Sequence, residues 1–174
     1  MAKTTLDDLR NRRSIRSFKS DPVKAEELDA ILEAGTYAPS GANHQSAVIV
    51  AVTDKAVRDR LEELNAEVLK DPKAKPFYGA PVVLAVLVDQ EKATPVEDGA
   101  LVLGNLQIAA DAIGVGSCWI HRAKEVFESP DGKAFLEKWG LTGNYRGVGF
   151  CILGYPAGPA PQPAPRKAGY IVRV

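Results

Sequence analysis

Gly99-Ala100-Leu101-Val102-Leu103-Gly104-Asn105-Leu106-Gln107-Ile108-Ala109-Ala110-Asp111-Ala112-Ile113 is apolar around almost its whole circumference. A helix on the surface of a monomer shows one polar face, and this one does not. It is therefore either central to the core or half covered by another subunit. In a chain of 174 residues a subunit interface is the better account. Gly114 then ends the helix.

Outward from this helix the chain alternates short strands and amphipathic helices. Residues 47–52 and 81–88 read as strands, and the continuous Val/Leu pattern of the second implies cover on both faces of its sheet. Further strands are expected at 117–120 and 147–153, separated by a helix near 131–139. Upstream, Thr4 or Thr5 caps a helix to about Arg12 with Leu6 and Leu9 facing inward. Leu28, Ile31 and Leu32 mark a helix over 25–34 that Gly35 stops in the left-handed region. Thr53 is the expected cap of a helix carrying Val57, Leu61, Leu64 and Val68, which ends at Asp71-Pro72. Beyond Tyr155 five prolines forbid a helix or central strand before 165, so the tail runs extended over a surface. Its end, Tyr170-Ile171-Val172-Arg173-Val174, reads as a strand suited to the sheet edge of a partner chain. Residues 1–174 thus form a single domain, with 155–174 as a C-terminal arm.

Charge is balanced, 22 Lys and Arg against 22 Asp and Glu. No global field draws nucleic acid or an anionic membrane, and any anion site must come from local clustering. Cys118 and Cys151 lie in apolar runs without zinc-site spacing, so they read as buried, reduced thiols and no metal is expected. The amino terminus lacks an apolar stretch of signal-peptide length, and no run reaches the roughly 18 to 20 apolar residues of a membrane span. The expected compartment is the cytoplasm. Gly114-Val115-Gly116 follows a helix instead of a strand and lacks a third glycine, which excludes a dinucleotide fingerprint.

The charge that does cluster is Arg12-Arg13-Ser14-Ile15-Arg16, three guanidiniums and a hydroxyl at a helix exit. That set suits a dianionic phosphate. Two further pieces belong with it, the loop Pro39-Ser40-Gly41-Ala42-Asn43-His44-Gln45 and the pair Arg166-Lys167 after Pro165. With Gly114-Val115-Gly116-Ser117-Cys118-Trp119-Ile120, the set strongly resembles the nitroreductase family of FMN-dependent flavoproteins, in the family's order over nearly the whole chain.

The resemblance implies an α+β fold, a three-layer α/β/α arrangement around a mostly antiparallel sheet, in an intertwined homodimer with FMN at the interface. Arg12, Arg13, Ser14 and Arg16 are then the FMN-contacting stretch, Arg12 and Ser14 on the phosphate and Arg16 toward the pyrimidine edge. A fixed cation there stabilises the negative charge of reduced flavin. Pro39, Ser40, Asn43 and Gln45 would reach over the flavin from the opposite subunit. Here Ser46 and Ala47 follow, where many relatives carry proline and tryptophan. Trp119, Ile120 and His121 would lie along the ring and offer a backbone N–H to flavin N5. Arg166 and Lys167 would close on the phosphate, and Lys75, before Phe77-Tyr78-Gly79-Ala80-Pro81, is an additional candidate contact.

The implied activity is ping-pong hydride transfer through FMN N5, from NADH or NADPH to a small-molecule electron acceptor such as a nitroaromatic or quinone. Because the flavin carries the chemistry, no catalytic side chain is assigned. The rival readings are a flavin-binding carrier or sensor without turnover, and specialised reductive chemistry on the same scaffold. A dimeric structural or interaction module would explain the apolar helix and arm but leave the paired arginine sites idle. Neither the nicotinamide preference nor a part for the His121 imidazole follows from these residues.

Overall fold

The computed structural model describes residues 5–174. In chain order it contains α1 (Thr5–Asn11), α2 (Ala25–Thr36), a short 3-10 turn (Gly41–Asn43), β1 (Ala47–Val52) and α3 (Lys55–Leu69). There follow β2 (Val82–Asp89), α4 (Pro95–Ala112), β3 (Gly116–Ile120), α5 (Ala123–Glu128), α6 (Pro130–Lys138) and β4 (Tyr145–Gly154). The four strands form one antiparallel sheet in the order β1-β2-β4-β3.

β2 is central, and every residue from Val82 to Val88 is buried. The period of two sends Val83, Ala85 and Leu87 to one face, where they meet Leu61 and Leu64 of α3, Val126 and Phe127 of α5, and Phe150. Val82, Leu84, Val86 and Val88 go to the other face, against Ile31 of α2 and Val102, Leu103 and Leu106 of α4. The expected three-layer α+β architecture with an antiparallel sheet is thereby present. Opposite the Val86–Leu87 step β4 carries an irregularity, with Val86 paired to Gly149 and Leu87 to Gly147. The bulge leaves Val148 unopposed, and that residue packs with the α4 side of the core.

Several local expectations are corrected. Gly35 does not stop its helix; it lies inside α2 because a Cβ there would come within 2.6 Å of Leu106 Cδ2 and 2.9 Å of Ile49 Cδ1. The glycine serves the close approach of α2 to α4. The cap of α3 is Asp54 and not Thr53, its carboxylate accepting from the Val57 N–H at 2.9 Å. α4 starts at Pro95, a turn before the apolar run, and α5 was not foreseen at all. The Thr4 cap lies outside the described residues. In α1, Leu6 and Leu9 are 60% and 54% exposed and do not face the chain's own core. Residues 170–174 are exposed and in no strand within this chain.

α4 is in part a core helix, and it also keeps apolar side chains on the surface of this chain. Val102, Leu103, Leu106 and Ala110 are core, whereas Val96 and Leu101 on the same helix, and Ile113 just after it, remain exposed. Cys118 and Cys151 are free and buried, and burial pushes the Cys151 thiol far up, which keeps it protonated. No described helix is long and apolar enough to cross a membrane. No cluster of metal-ligating side chains occurs among the described residues.

Candidate functional site

The arginine segment is held by the sheet. After α1 the chain runs extended along β3, where the Ile15 N–H donates to the Ser117 carbonyl at 2.9 Å and Ser14 bridges Ser117 in parallel. Gly116 permits this approach, because a Cβ there would meet Ile15 at 3.1 Å. Three residues on from Ile15, Phe18 bridges Pro156, Lys19 N–H donates to Tyr155 O at 2.8 Å, and Ala157 N–H donates to Ser17 O at 3.0 Å. The start of the proline tail is thus pinned beside the arginines. Between them opens a cleft of about 250 Å³ lined by Ser14, Ile15, Arg16 and Ser17 on one side and tail residues Gly158, Pro159 and Pro161 on the other.

The three guanidiniums differ in how they are used. Arg12 Nη1 is buried without a hydrogen-bond partner, as is the Ser117 hydroxyl. Arg13 Nη1 donates to the carbonyls of Arg10 and Arg12 at 2.8 and 2.7 Å, so that nitrogen is committed to its own turn, while its Nε is buried without a partner. Arg16 is exposed, with Cζ 6.0 Å from the Tyr78 ring centroid. Tyr78 belongs to the segment singled out with Lys75, whose ammonium pairs with Glu62 at 3.7 Å.

The loop 39–45 is built on a buried aspartate that sequence reasoning missed. Asp98, in the first turn of α4, accepts from Gly41 N–H at 2.9 Å and Thr94 Oγ1 at 3.0 Å through Oδ1, and from Ser46 Oγ at 2.7 Å through Oδ2. Ser40 Oγ accepts from Gln45 N–H at 3.0 Å, and Gln45 Nε2 donates to Asn43 Oδ1 at 3.3 Å. Ala42, Asn43 and Gln45 all take positive φ, a conformation costing non-glycine residues about 1 kcal/mol or more each. The hydrogen bonds offset that cost. Pro39, Ser40 and Gln45 line a cavity of about 380 Å³ against Asp98 and Val102, separate from the arginine cleft. The available signal was an acid immediately before the apolar run that begins at Gly99.

Burial alone would push the Asp98 carboxyl up, but the Gly41 N–H and the Ser46 and Thr94 hydroxyls outweigh it, and its pKa lies below the ordinary 3.8. A depressed pKa contributes stability above the unfolded value, and that stability is lost as pH falls through the folded one. At neutral pH, Asp98→Asn should cost roughly 1–3 kcal/mol in urea unfolding. The difference from the wild type should shrink as pH falls below about 4. A cost independent of pH would remove the carboxylate as its source.

The end of β3 forms a third group. Ile120 is buried toward α5, and the Trp119 indole packs beneath α4, where a Cβ on Gly149 would meet its Nε1 at 2.7 Å. His121 is exposed, while its carbonyl accepts from Asn65 Nδ2 at 2.8 Å. Asn65, fully buried on α3, also accepts from Arg122 Nε at 2.9 Å and so holds Arg122 at φ 75°. This clamp fixes the turn into α5. Arg166 and Lys167 are exposed, the first donating to Ala164 O at 2.7 Å and the second 5.3 Å from the Tyr170 ring centroid.

One chain therefore brings Arg12–Arg16, Ser117 and the tail's first residues together. It leaves loop 39–45 in another cavity and Trp119 and His121 at the far end of β3. The fold is shared with solved structures. A nitroreductase from Bacteroides fragilis with bound FMN superposes with a TM-score of 0.90 at 28% identity, covering 99% of each chain. One from Desulfitobacterium hafniense, also with bound FMN, gives 0.86 at 26% identity over 100% of each. Among curated proteins, the FMN reductase (NAD(P)H) of Bacillus subtilis is 28% identical over 135 residues, 64% of this chain. The chain spans 51% of that reductase's length and 58% of an NADPH-dependent oxidoreductase from Staphylococcus epidermidis, to which it is 25% identical over 71% of its own. The sequence model of the nitroreductase family matches residues 9–155, and with the fold and site elements in place the chain belongs to the nitroreductase family.

Proposed function

We propose that this chain is an FMN-dependent NAD(P)H oxidoreductase acting as a homodimer, on a nitroaromatic, quinone or related small acceptor. The observation that carries the reading is the buried, unpartnered Nη1 of Arg12 beside the Ser14 bridge. Burying a guanidinium nitrogen without an acceptor is costly, and a phosphate supplies the missing oxygen. The residues present therefore fit FMN. Arg12 and Ser14 would hold its phosphate, with Arg166 and Lys167 closing on it from the proline-rich arm, and Arg16 would sit at the pyrimidine edge. When bound, FMN accepts a hydride equivalent from NADH or NADPH and returns two electrons to the second substrate, which predicts ping-pong kinetics.

The chain's own groups bind, orient and shield. A backbone N–H from the Trp119, Ile120 and His121 stretch, a strand end whose last carbonyl accepts from Asn65, would face the flavin. Pro39, Ser40, Asn43 and Gln45 would come from the second copy. Support for a second copy comes from the exposed apolar side chains Leu6, Leu9, Leu101 and Ile113. The 155–174 arm would cross onto that copy.

An absorbance spectrum of purified protein, followed by anaerobic NADH and then NADPH, tests the reading. Flavin bands that bleach with either nucleotide are the expected result, with light scattering giving a dimer mass. No flavin uptake on reconstitution would overturn the reading, and bands that persist with both nucleotides would leave a flavin protein without reductase turnover.

A further inference from the structure

Beside the turn from β3 into α5 lies a cavity of about 360 Å³. Trp119, Val96 and Val148 give it apolar walls, and His121, Lys124 and Arg146 line the same space. Arg146 enters from β4 next to Val88 of β2, and its Nε is buried without a hydrogen-bond partner. Lys124 is shared with Glu128 at 3.8 Å, an exposed pair worth little. Glu125 is the one acid on the lining, against the fixed cations of Lys124 and Arg146.

A flat indole wall beside a partly buried guanidinium matches a ligand with an aromatic ring at one end and an anion at the other. The ring gains apolar contact with Trp119, and the anion accepts from a donor that otherwise goes unmet. Arginine suits a carboxylate through its fixed fork of N–H groups. We propose that this cavity is the acceptor pocket and that it selects aromatic acceptors bearing an anionic group, with Arg146 as the specificity-determining residue. The proposal rests on the oxidoreductase reading, because Trp119 and His121 belong both to this cavity and to the strand end assigned to the flavin.

Titration calorimetry of the flavin-loaded protein with benzoate and with its neutral analogue benzamide tests it. Benzoate should bind roughly 10- to 100-fold more tightly. Arg146→Met should abolish that preference and Arg146→Lys should keep part of it. Benzoate should also compete with a nitroaromatic acceptor in steady-state kinetics. Equal binding of the two probes, a preference intact in Arg146→Met, or no competition would each overturn the inference. If Arg146→Met fails to fold, salt decides on the wild type: weakening of benzoate but not benzamide is expected, and equal response of both refutes the charge contact. A protein that takes up no FMN fails the oxidoreductase reading instead. The benzoate preference measured on that flavin-free protein still reports on the cavity, so the two failures are separable.

Discussion

Arg12→Ala is expected to lower FMN affinity by roughly 10- to 100-fold, the loss of a charge-assisted hydrogen bond worth about 1.5–3 kcal/mol. The side chain's Nη1 is already buried and unpartnered, so no internal bond competes with the ligand for it. The apoprotein should stay folded, since the backbone bond from Ile15 to Ser117 places the segment without help from the guanidinium. Arg13→Ala makes the contrast. Its Nη1 is spent on the carbonyls of Arg10 and Arg12, so its removal should loosen the turn and cost less affinity. Quenching of FMN fluorescence on binding measures both, with circular dichroism as the folding control. An unchanged affinity in Arg12→Ala would refute its phosphate role.

The largest effect on stability is expected at Phe150. Its ring is fully buried in β4, 5.2 Å from the Phe77 centroid in an edge contact and 5.8 Å from that of Phe127. These rings link the segment before β2, the sheet and α5. Phe150→Ala removes the transfer free energy of the ring and leaves a cavity that three rigid elements cannot close, a cost of about 3–5 kcal/mol. For a domain of this size that lowers the melting temperature by roughly 6–20 °C. The urea m-value should not change, because the surface exposed on unfolding is nearly the same. A loss below about 1 kcal/mol would mean that the layers repack around the void, contrary to the dense packing of native cores.

Where chain-local chemistry decides, the amino-acid sequence was sufficient. The unbroken apolar run at 82–88 could only be a strand covered on both faces, and it is the buried centre of the sheet. β1 and α3 likewise follow from periodicity, and the motifs in order pointed to the family that the comparisons establish. Where a residue's role depends on what approaches it from elsewhere, the tertiary structure alone decided. Gly35 reads locally as a helix stop, yet it exists for Leu106 and Ile49, which arrive from distant segments. Asp98 lies just before the apolar run and drew no reading from the sequence; its role appears only where Gly41, Ser46 and Thr94 converge on its carboxylate. The three arginines are indistinguishable by type, and only their surroundings give Arg13 Nη1 two carbonyl acceptors and leave the buried Arg12 Nη1 with none. Hydrophobic period is written into neighbouring residues, whereas hydrogen-bond satisfaction and close approach are set by partners that the fold brings from far along the chain.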